Sequence, residues 1–123
     1  MDRNPVGWFE IYVQDMQRAK QFYEAVLGVS LSALPAGDLE MQAFRGDPGR
    51  PGVTGALVRM TGVPSGGNST LVYFSCEDCA VEGGRVAGAG GNIMRDKFSI
   101  GEYGFVVLAF DTEGNMFGLH SMK

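Results

Sequence analysis

The chain has 123 residues, 45% of them hydrophobic and 20% charged, which is the size and composition of one globular domain with its own core. Its net charge of −4 and its lack of any run of lysines or arginines argue against nucleic-acid binding. No apolar stretch approaches the ~20 residues of a membrane span, and the opening MDRNPVGW lacks the apolar centre of a signal peptide. We therefore expect a cytoplasmic protein with no membrane partner. We also expect a single domain over residues 1–123.

The first predicted element is a strand, GWFEIYV, at residues 7–13. Its side chains alternate, so that Phe, Ile and Val point to one face and Trp8, Glu10 and Tyr12 point to the other. A carboxylate between two aromatic side chains suits neither plain solvent nor a dry core, because burial of an unpaired charge costs several kcal/mol. This face therefore indicates an aromatic cavity that contains one acid.

A helix is predicted over about residues 15–27. Asp15 is a suitable N-cap, and Gly28 stands where a left-handed C-cap is expected. One apolar face recurs at helical spacing and is expected to be buried: Ala19, Phe22, Tyr23 and Val26. Three strands follow, within VSLSAL, LEMQAF and TGALVRM, and VPSGGNS at residues 63–69 is expected to connect the two halves of the chain.

The second half repeats the first. LVYFSCED has the pattern of WFEIYVQD, an apolar strand that ends in a helix-capping Asp. Asp15 and Asp78 lie 63 positions apart, as do Gly28 and Gly91, which indicates an internal duplication. The second helix is predicted at roughly 78–89, although three glycines lower its helix propensity. Strands follow within NIMRDKF, GFVVLAF and MFGLHS, and TEGN forms the turn between the last two.

Two segments carry a resemblance to a known family. WFEIYVQDMQRAKQFYEAVLG resembles the opening of proteins of the vicinal oxygen chelate superfamily, and GEYGFVVLAFDTEGNMFGLH resembles their usual ending. The superfamily holds glyoxalase I, extradiol dioxygenases and bleomycin resistance proteins, and the likeness is greatest to its small glyoxalase-like members.

The resemblance agrees with the repeat, which is βαβββ twice, with module 1 at about 1–62 and module 2 at about 70–123. It implies an α+β fold in which the two modules form a curved mixed sheet around a cavity. It also implies a homodimer, since small members usually pair modules across two chains and since short curved strands leave edges that need cover.

Metal-dependent members of the superfamily bind their metal through four side chains, usually His, Glu, His and Glu. The matching positions in this chain are Trp8, a residue near Ala56, Leu71 and Gly118. None of these side chains offers a ligand atom for Zn²⁺, Ni²⁺ or Fe²⁺. Glu10 and His120 stand one pleat away and leave a displaced two-ligand site as an alternative. Because a transition metal usually needs three protein ligands, we predict no cofactor and no metal at the family's position.

The candidate ligand-binding residues surround the expected cavity: Trp8, Glu10, Tyr12, Leu71, Tyr73, Gly118 and His120. Glu10 is also the candidate catalytic residue, acting either as a general base or as the acceptor for a cationic ligand, and the aromatic rings would stack on a planar or cationic group. The empty metal positions favour a metal-free protein that sequesters a small molecule, as bleomycin resistance proteins do. The alternative is an enzyme, a glyoxalase-like lyase, isomerase or dioxygenase with an atypical metal site.

CEDC at residues 76–79 has the C-x-x-C spacing of a redox pair or of half a zinc site. Glu77 and Asp78 stand between the thiols and disfavour the thiolate that redox chemistry needs. Two cysteines and one histidine in the whole chain do not complete a zinc site. We therefore interpret both cysteines as structural.

Overall fold

The computed structural model describes residues 4–123, which form two consecutive βαβββ modules. The elements of module 1 are β1 (Phe9–Tyr12), α1 (Met16–Leu27), β2 (Leu31–Ala33), β3 (Glu40–Phe44) and β4 (Gly55–Arg59). The elements of module 2 are β5 (Tyr73–Ser75), α2 (Cys79–Gly83), β6 (Asn92–Ser99), β7 (Phe105–Phe110) and β8 (Met116–Ser121), with a short 3-10 helix at Gly101–Tyr103 before β7.

Each module folds its four strands into one mixed sheet. The strand orders are β1-β4-β3-β2 and β5-β8-β7-β6, so the first strand of each module pairs with the last. That first pair is parallel, and the other pairs are antiparallel. The identical topology of the two sheets confirms the predicted α+β fold of two βαβββ modules. Among residues 4–123, no helix combines the length and the apolar character needed to cross a bilayer.

Helix α1 begins and ends where its capping residues predict. The Asp15 side chain accepts a hydrogen bond from the backbone N–H of Arg18, which satisfies one free donor of the first turn. Gly28 has φ of +67°, and its N–H donates to the carbonyl of Glu24. A left-handed residue of this kind ends a helix at little cost only when it is glycine.

The predicted second helix at 78–89 is wrong in length, because α2 ends at Gly83. Asp78 caps it as expected, but the glycine-rich segment that follows forms turns instead of helix. A Cβ built on Gly83 would lie 3.2 Å from a methyl of Val107, so this glycine lets the short helix approach β7 closely. The repeat pairs Gly91 with Gly28, the C-cap of α1, but α2 ends eight residues before Gly91; a Cβ at Gly91 would lie 2.6 Å from the Phe22 ring.

The core that joins the modules is aromatic. Six rings pack with centroids 5.0 to 6.1 Å apart, mostly edge-to-face or tilted: Phe9, Phe22, Tyr23, Phe44, Phe74 and Phe117. Such contacts add about 0.5–1.5 kcal/mol per pair beyond the burial of area. We call this set the aromatic cluster. It includes both aromatic residues of α1, which the sequence predicts as core.

The turn between β7 and β8 fastens module 2 to helix α1 of module 1. Asp111 is 3% exposed and accepts a 2.6 Å hydrogen bond from the hydroxyl of the fully buried Tyr23. Burial, together with the charge and the hydrogen bond of Asp111, raises the pKa of Tyr23 well above its ordinary value. Glu113, from the same turn, forms an ion pair with Arg18 at 2.7 Å. The sequence predicts this segment only as a turn.

Candidate functional site

The helices cover one face of each sheet, and the strand register shows which residues share the opposite face. Glu10 pairs with Ala56 and Tyr12 pairs with Val58. Paired residues of neighbouring strands point to the same side. In module 1 the side away from α1 therefore carries Glu10 and Tyr12, as the sequence alternation predicts. We call Trp8, Glu10 and Tyr12 the platform.

The three platform side chains are hydrogen-bonded to one another. The Trp8 indole Nε1–H donates to Oε2 of Glu10 at 3.3 Å, and the Tyr12 hydroxyl donates to Oε1 at 2.8 Å. Trp8 is 42% exposed. The hydrogen bond to Glu10, with burial and the charge of that carboxylate, raises the pKa of Tyr12. The two aromatic donors thus fix the carboxylate in one orientation on an open surface, with lone pairs left for a further donor.

Glu10 and Tyr12 border a cleft of about 480 Å³ whose other wall is the connector between the modules. Asn115 holds this wall in place, because its Nδ2 donates to the carbonyl of Tyr12 and its Oδ1 accepts the N–H of Gly66. The hydroxyl of Ser65 donates to the same Tyr12 carbonyl. Sequence reasoning missed Asn115 and Ser65, since their partners lie 103 and 53 positions away.

The equivalent face of module 2 carries three more of the predicted residues. Tyr73 pairs with Gly118, and Ser75 pairs with His120. Tyr73 and His120 line a separate recess of about 440 Å³ on this face. The ring Nε2–H of His120 donates to the carbonyl of Tyr103 at 2.6 Å, which leaves Nδ1 as the ring atom for another contact.

The structure of one chain thus divides the predicted site residues into groups. The platform residues lie on module 1, and Tyr73, Gly118 and His120 lie on module 2. Glu10 and Tyr12 border the cleft of module 1, whereas Tyr73 and His120 border the recess of module 2. Leu71 lines neither of these recesses; it borders a third cavity together with Tyr73. The role of each residue in binding stays a prediction.

The residues present do not fit a metal at the position that the superfamily uses. A Cβ built on Gly118 would overlap the Tyr73 ring, so this tyrosine fills the space that a Glu side chain would need. Ala56 is fully buried and has no ligand atom. Within residues 4–123, no three His, Cys, Asp or Glu side chains cluster in a way that would hold a metal ion. We therefore derive no chemistry through a metal.

The two cysteines have the surroundings of structural residues. Cys79 is fully buried, and its N–H donates to the hydroxyl of Ser121. Burial, and then the negative charge of the neighbouring Glu82, raise the pKa of Cys76 to about 12. The Cys76 thiol is therefore protonated at neutral pH, which is the opposite of what a reactive cysteine requires.

Comparison with known proteins relates the chain to one group of folds. Residues 6–41 match the family described as bleomycin resistance protein-like N-terminal, and no curated protein sequence matches the chain. TnmS3, an antibiotic binding protein from a Streptomyces species, is 22% identical with a TM-score of 0.69 over 98% of both chains. A glyoxalase/bleomycin resistance protein from Albidiferax ferrireducens is 20% identical with a TM-score of 0.70, over 94% of this chain and 98% of that one.

Glyoxalase I from Zea mays gives a TM-score of 0.73 at 20% identity, over 93% of this chain. The match covers 43% of the maize protein, so the chain corresponds to less than half of that enzyme. Both βαβββ modules are included in each of these matches. The chain has the fold of these glyoxalase and bleomycin resistance proteins, and this fold and the family match over residues 6–41 are both consistent with the predicted resemblance to the vicinal oxygen chelate superfamily.

Proposed function

We propose that this chain is a metal-free small-molecule-binding protein of the glyoxalase/bleomycin resistance type. The observation that carries the proposal is the platform, on which two aromatic donors hold the Glu10 carboxylate at 2.8 and 3.3 Å on an exposed face. A ligand meets there an oriented acceptor between two aromatic side chains. The chain shares its fold with the antibiotic binding protein TnmS3, which supports the proposal that this face binds a small molecule.

The chemistry of the platform favours a planar or cationic ligand with a hydrogen-bond donor. Trp8 and Tyr12 offer rings for stacking and cation–π contact, worth about 0.5–2 kcal/mol, and Glu10 accepts from an N–H or O–H group. The net charge of −4 attracts a cation over longer distances. Among the described residues, Glu10 belongs to no group of three His, Cys, Asp or Glu side chains that could hold a metal ion.

Binding should depend on the Glu10 carboxylate. With the planar cation proflavine as probe, we expect Glu10→Gln to weaken binding about tenfold or more, since hydrogen bonds to a charged group contribute about 1.5–3 kcal/mol. Calorimetric titration measures the affinity, and quenching of Trp8, the only tryptophan, reports contact with the platform. Glu102→Gln, at an exposed carboxylate outside the platform, is the matched control and should leave the affinity within twofold.

Two results would count against this proposal. Equal affinities of the wild type and Glu10→Gln would remove the carboxylate from the site. The enzyme alternative with a displaced metal site would be favoured if a divalent metal raised the thermal stability more than any organic compound did. In that case Glu10→Ala should abolish the stabilisation by the metal. A ligand at 100 times its Kd adds about 2.7 kcal/mol of stability, so a thermal-shift screen detects either case.

We also propose that a homodimer completes the binding site. The platform of module 1 and the recess of module 2 are both open, and Tyr73 and Ile100 at that recess are 48% and 39% exposed. Apolar surface of this kind is usually covered by a partner, and a second chain could close the platform with its own module 2. Light scattering at micromolar concentration should give twice 13.2 kDa. Ile100→Glu should shift the mass to that of one chain; a monomeric wild type would refute the dimer.

A further inference from the structure

A cavity of about 590 Å³ opens between the two modules on a different part of the surface from the platform. Its lining includes three rings of the aromatic cluster, those of Phe9, Phe44 and Phe74, whose centroids lie 5.6 to 6.1 Å apart. Val6 and Val53, also in the lining, are 57% and 45% exposed. We call this space the inter-module cavity. It has the size and the apolar walls of a small-molecule site.

Among the described residues of the lining, Glu82 in α2 alone carries a carboxylate. Its Oε1 is buried, and no hydrogen-bond partner reaches it within the part of the chain that the structure describes. A buried acceptor without a donor costs free energy that a ligand donor would recover. Most buried polar atoms in native proteins are satisfied, so this oxygen calls for an explanation.

The charged and titratable groups around Glu82 do not neutralise it. The pKa of about 12 keeps the Cys76 thiol uncharged, and this thiol donates to the carbonyl of Phe74 and not to Glu82. Arg45 also lines the cavity but is exposed, and it forms no ion pair with Glu82 among residues 4–123. The cavity therefore presents one unbalanced negative group against an apolar surface.

We propose that the inter-module cavity is a second ligand site, which takes an organic ammonium ion with a bulky apolar body. The apolar body packs on Phe9, Phe44 and Phe74, and the ammonium N–H donates to Glu82. An anion would be repelled by Glu82, and a divalent metal would find no second carboxylate or imidazole among the described lining residues. The platform side chains Trp8, Glu10 and Tyr12 do not line this cavity, although Phe9, Thr70 and Val72 border both this cavity and the cleft beside the platform.

The test compares two ligands that differ only in the charged group. 3,3-Diphenylpropylamine, protonated at neutral pH, should bind at least tenfold more tightly than 3,3-diphenylpropanol in calorimetric titration. Methyl resonances of Leu27 and Val29, which line this cavity but not the cleft beside the platform, should shift on binding, while Trp8 fluorescence stays unchanged. Equal affinities for the amine and the alcohol, or shifts confined to the platform, would overturn the proposal.

Two variants test whether Glu82 causes the preference for the amine over the alcohol. Glu82→Gln should reduce the preference for the amine to less than twofold, whereas Glu77→Gln, a neighbouring carboxylate that is 90% exposed, should leave it unchanged. The methyl shifts of Leu27 and Val29 should persist in Glu10→Gln, so failure of this site is distinguishable from failure of the platform. If Glu82→Gln does not fold, Val53→Trp in the exposed loop tests whether the ligands bind in this cavity. The larger side chain narrows the cavity and should lower the affinity for both the amine and the alcohol. A preference that survives in Glu82→Gln, or affinities unaltered in Val53→Trp, would refute the site.

Discussion

Replacement of Glu113 by glutamine is expected to lower the free energy of unfolding by about 2–3 kcal/mol, because the Glu113 side chain is fully buried and accepts five hydrogen bonds. Its Oε1 accepts from the backbone N–H groups of Gln14 and Asp15, each at 2.9 Å, and from Nη2 of Arg18. Its Oε2 accepts from Nε of Arg18 and from the hydroxyl of Thr112. The amide group of glutamine would turn a donor towards some of these donors.

The pH dependence of stability identifies the carboxylate as the cause. Burial opposes ionisation of Glu113, but hydrogen bonds from Arg18, Asp15, Thr112 and Gln14 outweigh it and lower the pKa from 4.5 to about 2. The unfolded chain therefore takes up a proton below pH about 4.5, while the folded chain does so only near pH 2. The stabilisation is complete above pH 4.5 and is lost as the pH falls towards 2, and its full size is about 3 kcal/mol.

Urea unfolding between pH 7 and pH 3 measures this effect. The wild type should lose more than half of its advantage over Glu113→Gln across that range, and the two stability curves should approach each other towards the acid end. At neutral pH the melting temperature of the variant should be lower by about 10 °C. Glu102→Gln, an exposed charge change in the same module, should follow the wild type. Parallel curves for the wild type and Glu113→Gln would show that the ion pair does not govern acid stability.

Local sequence rules predict most of the elements, because the interactions that define them are local. Asp15 and Gly28 cap α1 through contacts within four residues, and the alternation of the first strand separates platform from core. The 63-residue repeat then predicts the second module. The repeat does not predict the length of the second helix. Gly83 lowers helix propensity there, but it allows α2 to pack closely against Val107.

The contacts that join the modules are invisible to such rules. Glu113 reaches Arg18 across 95 positions, and Tyr23 reaches Asp111 across 88. The residue types of DTEGN favour a turn, and nothing local distinguishes an exposed turn carboxylate from one that binds the segment before a distant helix. The platform was predictable for a different reason: its three residues are neighbours on one strand face, so alternation alone brings them together.

Asp111 should be the most sensitive polar residue of the fold. Its four hydrogen bonds come from the Tyr23 hydroxyl, the N–H of Glu113, and the N–H and side-chain amide of Asn115. Asp111→Ala would leave the fully buried Tyr23 hydroxyl without its acceptor and would release the turn, at an expected cost of about 3–5 kcal/mol. Asp111→Asn keeps one acceptor oxygen and should cost about 2 kcal/mol, which provides a folded variant for measurement.

A double-mutant cycle with Tyr23→Phe separates the hydrogen bond from the loss of the turn. Urea unfolding should show Tyr23→Phe destabilised by about 1–2 kcal/mol, and the combined variant should lose less than the sum by a similar amount, because the hydroxyl and the carboxylate are direct partners. Strict additivity would contradict this assignment. Since Asn115 belongs to the same turn and donates to the carbonyl of Tyr12, Asp111→Asn should also loosen the connector beside the platform and weaken proflavine binding, whereas Tyr23→Phe should leave it nearly unchanged.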